Sequence, residues 1–367
     1  MRRKFWERRA DRCSTGRVIQ PPKAKPGDVV AVVSPSWAAP AHYPDVHAQA
    51  MRRLTEVTGL VPREYPTTGR GSSPEVRARD LNEAFADPAV RAVVAVIGGD
   101  DQITVIPHLD PRLVIDDPKP FCGYSDNTNL LHWLWGHGVV GFHGGSTQVH
   151  LGAGPTVDAC HAASLRAALV DGGRLDIVEP GWSEDFGPDW STPEALTDVG
   201  HREPTEPWTW AGPAREVTGS TWGGCIEVIQ WILAAGRFGA DPAALDGAIL
   251  LLEASELLIP AEEFGWILRS LGERGVLAAV DAVVVARSPA SKPGRPSTPE
   301  GRADHRARQR DTALAVIQRY NPDAVVCIGV PFGHTRPQWI LPYGGSMTVD
   351  GGRRQVSAEY GDPSEAT

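Results

Sequence analysis

Three residues whose types could together cleave an amide stand far apart in the chain: Ser125, Glu253 and His334. A serine hydroxyl is a poor nucleophile near neutral pH. It needs a base to take its proton, an acid to orient that base, and donors for the developing oxyanion. Ser125 lies in Gly123-Tyr124-Ser125-Asp126, where a short apolar run passes into a helical pattern. A serine at a strand-to-helix turn is held exposed, and the following N–H sits at the positive end of the helix dipole. The pattern departs from GxSxG, because Asn127 stands at the last position. Taken singly, a serine there is more often a helix cap.

Glu253 directly follows the apolar run 248–252, and a carboxylate at the end of a buried strand requires a partner. A structural ion pair or a helix cap is the ordinary alternative. His334 follows the run 324–328 through Gly329-Val330-Pro331-Phe332-Gly333, a loop able to fix an imidazole at a sheet edge. A single histidine is more often structural than catalytic. The coincidence carries more weight than any member: all three residues lie just past the carboxyl end of a predicted strand, where open α/β sheets place their sites.

A fourth element, Ile97-Gly98-Gly99-Asp100, follows the predicted strand 92–97. Its glycines allow close backbone approach, so the N–H groups of Gly99 and Asp126 form the expected oxyanion pair. A phosphate-binding turn competes with this reading, but neither GxGxxG nor GxxxxGK[ST] is present. His132, His137, His143 and His150 do not have HExxH spacing and are read as structural, so no metal is predicted.

The elements that must position these residues follow from apolar periodicity. Val29–Val33 is a β-branched run closed by Ser34-Pro35, and Ser73-Pro74-Glu75 opens a helix reaching about Phe85. Strands at 120–123 and 139–142 flank a helix at 126–135. Strands without polar alternation, separated by helices, indicate a parallel sheet covered on both faces. The second half offers a helix at 224–235, strands at 248–252, 282–286 and 324–328, and helices from Pro260 to about Gly275 and over 302–319. The expected organisation is a basic, disordered tail at 1–20, a Rossmann-like α/β domain at 21–165 and a linker with a Trp-rich loop at 166–215. A smaller α/β domain at 216–355 and a flexible tail at 356–367 complete it.

Composition limits the function classes. The 367 residues carry a net charge of −9 with 41% hydrophobic and 22% charged residues, which suits a globular chain and gives no basic footprint for nucleic acid. Residues 2–17 are the basic exception; they contain no apolar core of a secretory signal and read as an extension or misassigned start. No apolar run is long enough to cross a bilayer. Five scattered cysteines with no CxxC pair are expected to be reduced and mostly buried, which points to the cytoplasm.

Together the blocks resemble a known family. Gly123-Tyr124-Ser125-Asp126, Leu250-Leu251-Leu252-Glu253 and Gly329 through His334 resemble the three catalytic blocks of the LD-carboxypeptidases, and Ile97-Gly98-Gly99 resembles that family's oxyanion loop. The similarity runs from about residue 25 to 350. It implies a site between two domains and a homodimer, with Ser125 as nucleophile, His334 as base and then acid, and Glu253 orienting the histidine; no cofactor is expected. Ile97-Gly98-Gly99-Asp100-Asp101 resembles the microcin C immunity branch, which cleaves peptidyl or aminoacyl nucleotides, more than the murein branch with Arg-Gly-Gly-Tyr-Gly. Asp101 stands where that branch is expected to carry asparagine. In that branch a tryptophan-bearing loop stacks on the base, so Trp182, Phe186 and Trp190, with Gly98 and Asp100, are the expected substrate contacts. Packing or a dimer contact is the competing role for the tryptophans. A murein tetrapeptide LD-carboxypeptidase and a non-catalytic nucleotide or peptide binder are the alternative functions.

Overall fold

The computed structural model describes residues 18–237 and 241–361. The basic segment 1–17 with Cys13, and the last six residues, lie outside the described residues. Two sheets dominate. The first is built from β1 (Val29–Val33), β2 (Val61–Glu64), β3 (Val90–Ala95), β4 (Phe121–Gly123) and β5 (Gly141–His143), all paired in parallel. Four of the five residues of β1 are buried, as an apolar run without alternation requires when helices cover both faces.

The second sheet has eight strands. β6 (Arg174–Ile177) belongs to it, whereas β7 (Trp182–Ser183) and β8 (Glu203–Pro204) form a separate two-stranded ribbon. β9 (Thr209–Ala211), β10 (Glu216–Cys225), β11 (Ile249–Glu253), β12 (Ala282–Ala286) and β13 (Val325–Val330) follow in the second sheet. β10 to β13 are parallel neighbours in that order. β15 (Ser346–Asp350), β16 (Gln355–Glu359) and β6 extend one edge antiparallel, and β9 closes the other. The remaining strand, β14 (Leu341–Tyr343), leaves this half of the chain and pairs antiparallel with β5 in the first sheet.

Apolar clusters span the two sheets. Leu130, Leu131 and Leu134 of helix Thr128–Gly136 cluster with Val93 and Phe121 from one sheet and with Trp222, Leu250 and Leu252 from the other. Trp222 also donates its indole N–H to His132 Nδ1 at 3.2 Å, so this histidine is a structural link between the halves.

Several expectations require correction. A flexible tail from 356 was expected, but β16 occupies Gln355–Glu359, and Tyr360 is fully buried with its hydroxyl donating to the Ile340 carbonyl at 2.5 Å. The segment expected as linker and loop contains β6 to β9 and the short helix Glu194–Thr197. Residues 224 and 225, expected to open a helix, instead end β10; the helix begins at Ile226.

Candidate active site

Ser125 sits at φ 61, a left-handed conformation that costs a non-glycine residue energy, between β4 and the helical segment that continues into Thr128–Gly136. A bonded network over-determines this turn. The Asp126 carboxylate accepts from the Ser36 hydroxyl at 2.5 Å, the Gln102 N–H at 2.8 Å and the Asn129 amide at 2.9 Å. Burial nevertheless pushes its pKa up, against the Ser36 and Gln102 donors. Gln102 donates to Asn127 Oδ1 at 2.7 Å, and Asn127 donates to the Ile97 carbonyl at 3.1 Å, which ties the turn to the glycine loop.

That loop lies against the serine. A Cβ on Gly98 would come within 2.7 Å of Ser125 Cβ, 2.8 Å of its Oγ and 3.2 Å of the Asp126 nitrogen. A Cβ on Gly99 would lie 2.0 Å from Ser36 Oγ. The Gly99 N–H has no acceptor among the described residues, and the Asp126 N–H lies in a first helical turn, where such groups have no intrahelical acceptor. Gly99 shares the cavity lining with Ser125, and Asp126 follows Ser125 directly in the turn.

Glu253 ends β11 with no exposure, and its Oε2 meets His334 Nδ1 at 2.6 Å. Gly333 makes this approach possible: a Cβ there would be 2.8 Å from Glu253 Cβ and 3.1 Å from Ala286 Cβ. On the other side, Glu253 Oε1 lies 3.7 Å from His143 Nε2, whose ring burial holds at a pKa of about 3 and hence neutral. Tyr124 stacks edge-on against His334 with centroids 4.9 Å apart. Among the described residues no hydrogen bond joins His334 to Ser125; Nε2 meets Glu256 Oε2 at 3.1 Å instead. Burial disfavours the charged ring, but Glu253, Glu256 and Glu227 outweigh it and raise His334 from its ordinary 6.5 to about 9.

Ser125 opens into a cavity of about 530 Å³. Gly99 and Asp100 line it, joined by Ser36, Trp37, Arg77, Asp101, Cys225, Glu227, Trp231, Ser255 and Glu256, whereas Gly98, expected as a substrate contact, does not. Trp182, Phe186 and Trp190 do not line it. The Arg202 guanidinium lies 3.7 Å over the Trp182 ring, Trp190 packs edge-on against Tyr43 at 5.5 Å, and the Phe186 carbonyl backs onto Gly200. Trp37 and Trp231 supply the cavity's indoles instead. Trp37 was within reach of sequence reasoning, since Ser34-Pro35-Ser36-Trp37 follows β1 at its carboxyl end. Glu227 gave no such signal; its Oε1 accepts the Ser255 N–H at 3.0 Å and hydroxyl at 2.8 Å, and burial raises its pKa.

A parallel α/β half carrying a strained serine, joined to a second sheet that carries a glutamate and histidine pair, defines a two-domain α/β class of peptidase fold. Residues 30–144 match the model of the LD-carboxypeptidase N-terminal domain and residues 218–349 that of the LD-carboxypeptidase C-terminal domain. These spans exceed half of the chain, which belongs to the LD-carboxypeptidase family. A Vibrio cholerae protein provisionally named a carboxypeptidase is 27% identical over 334 residues, 88% of this chain and 92% of that one. The microcin C7 self-immunity protein MccF of Escherichia coli is 23% identical over 78% of this chain and 79% of its own length. The murein tetrapeptide carboxypeptidase of Pseudomonas aeruginosa is 28% identical over 49% of this chain and 50% of its own. A solved structure of MccF in complex with aspartyl sulfamoyl adenosine shares the fold, with TM-score 0.79 at 20% identity over 94% of this chain and 99% of that one. Among the described residues no helix is long and apolar enough to cross a membrane.

Proposed function

We propose that this chain is a serine peptidase that hydrolyses the amide of aminoacyl or peptidyl nucleotides through Ser125, His334 and Glu253. The observation that carries this reading is Ser125 at φ 61 against Gly98, at the mouth of a cavity whose rim also holds the His334 contact Glu256. In the reaction Ser125 Oγ attacks the carbonyl carbon and its proton passes to His334 Nε2. Glu253 holds Nδ1 and stabilises the imidazolium. The oxyanion is received by the N–H groups of Gly99 and Asp126. His334 then gives its proton to the leaving nitrogen as the carbon–nitrogen bond breaks, and water releases the acyl group by the same steps in reverse.

The nucleotide half of the reading is supported by the MccF fold likeness and by the bound aspartyl sulfamoyl adenosine of that relative. Trp37, 40% exposed on the cavity wall, offers a face on which a base can stack. A homodimer in the cytoplasm completes this reading; among the described residues Cys122, Cys160, Cys225 and Cys327 form no disulfide, in keeping with a reducing compartment. Incubation with aminoacyl sulfamoyl adenosines, following release of the free amino acid, tests the reading. Ser125→Ala is expected to lower the rate by about a thousandfold or more. Release that is indifferent to Ser125 overturns it. The relationship to the Pseudomonas enzyme supports a second reading, murein tetrapeptide cleavage, for which D-alanine release is the matching assay.

A further inference from the structure

We propose that Glu256 is a specificity-determining residue: it holds His334 in the free protein and, in the complex, takes a cationic group on the acyl side of the scissile amide, releasing His334 to Ser125. This rests on the amidase reading above.

The imidazole is clamped from both sides. Glu253 Oε2 meets Nδ1 at 2.6 Å and Glu256 Oε2 meets Nε2 at 3.1 Å. Only the Nδ1 contact has hydrogen-bond geometry, the Glu256 contact being an ion-pair approach, and the two carboxylates together favour the imidazolium over the neutral ring. Such an imidazolium cannot take a proton from Ser125, and Nε2 is the nitrogen the reaction needs. One of the two carboxylates must leave, and their surroundings decide which. Glu253 has no exposure, whereas the Glu256 side chain is 60% exposed and lines the cavity that Ser125 opens into. Turning Glu256 away from His334 within that cavity breaks one ion pair of an exposed side chain, whereas moving Glu253 would strip a fully buried one.

The cavity's charge decides what can draw it there. Asp100, Asp101, Glu227 and Glu256 line it against a single cation, Arg77, whose guanidinium is held by Asp101 through contacts of 2.7 and 2.6 Å. Glu227 is held in place by Ser255 and by the Cys225 thiol at 3.2 Å. Tyr124 and, behind Glu253, the neutral His143 also pack near His334, and among the described residues the only ion pair of Glu256 is the one with this ring. An acyl group whose side chain bears an ammonium finds a movable carboxylate beside the nucleophile. One bearing a carboxylate is repelled and leaves His334 clamped.

Calorimetry on Ser125→Ala protein with lysyl, norleucyl and glutamyl sulfamoyl adenosine reads this directly, because the compounds stay intact. The lysyl compound is expected to bind about tenfold or more tighter than the glutamyl one, with the norleucyl compound between them. Adding Glu256→Gln is expected to collapse that ratio and to lower the His334 titration followed by proton NMR. An unchanged ratio and titration, or a glutamyl preference, overturns the proposal. Turnover by the Ser125 protein is scored separately. If no compound is cleaved while the charge preference stands, the amidase reading falls alone; Ser125-dependent cleavage without charge preference removes only the role of Glu256.

Discussion

His334 is where the chemistry of single residues is most exposed to test. A base must be neutral to accept a proton, and in the free protein three glutamates hold this ring at about 9. The kcat/KM of amide hydrolysis is therefore expected to rise with pH across the neutral range and to level off near 9, since that parameter reports the free enzyme. In Glu256→Gln the rising limb is expected at lower pH, because one of the charges favouring the imidazolium is gone. The same shift has a stability consequence. Its folded pKa lies above the ordinary 6.5, so the stabilisation is fully present below about 6.5 and is lost as pH rises through about 9. A melting temperature that falls over that window in the parent, and less in Glu256→Gln, is the expected result.

At the scale of elements, two glycine loops bring the strand ends together. Gly98 bears most directly on the nucleophile, since a Cβ there meets Ser125 itself. Gly98→Ala is expected to displace Ser125 or the loop, lowering turnover by at least about tenfold. Its stability cost is expected to be about 1–3 kcal/mol, in the range of other overpacked sites and measurable by urea denaturation. Turnover equal to that of the parent would show that the loop does not set the serine. The Trp-rich segment serves a different end. Its Asp185, Glu203 and Glu206 accept contacts from Arg287 at 3.2, 2.9 and 3.1 Å, and Arg302 and Arg306 add further contacts to Glu203. Burial opposes ionisation of Glu203, but these arginines outweigh it and hold its pKa at about 2. These contacts fasten the segment to the second sheet and away from the cavity lining.

The whole molecule depends on that fastening and on β14. Arg287 is 4% exposed and serves three carboxylates, so Arg287→Ala leaves Asp185 and Glu203 partly unpaired in a dry setting. A loss of about 3–5 kcal/mol in denaturant unfolding is expected, as for other broken buried pairs. The chain 18–215 alone lacks β14 and the Trp222 side of the shared core. Cooperative unfolding of the full chain in one transition, with no folded 18–215 fragment, is the outcome this architecture demands; a stable fragment would contradict it.

Burial writes itself into sequence as apolar runs, which is why β1 and β12 were legible to the residue and why Ser125, Glu253 and His334 stood out at strand ends. The glycines beside them were legible for the same reason, since close backbone approach permits few other residues. β10, β15 and β16 were not, because they mix exposed, polar and glycine positions that resemble loops, nor was β14, whose three residues are interrupted by Pro342. Which indoles face the cavity, and that Glu256 rather than Ser125 meets His334 Nε2, depended on residues brought together across long stretches of chain. The sequence by itself determined the types of reactive group and the strands that carry them. Only the tertiary structure decided their pairings and charge states, because those depend on distance and burial, which no local pattern encodes.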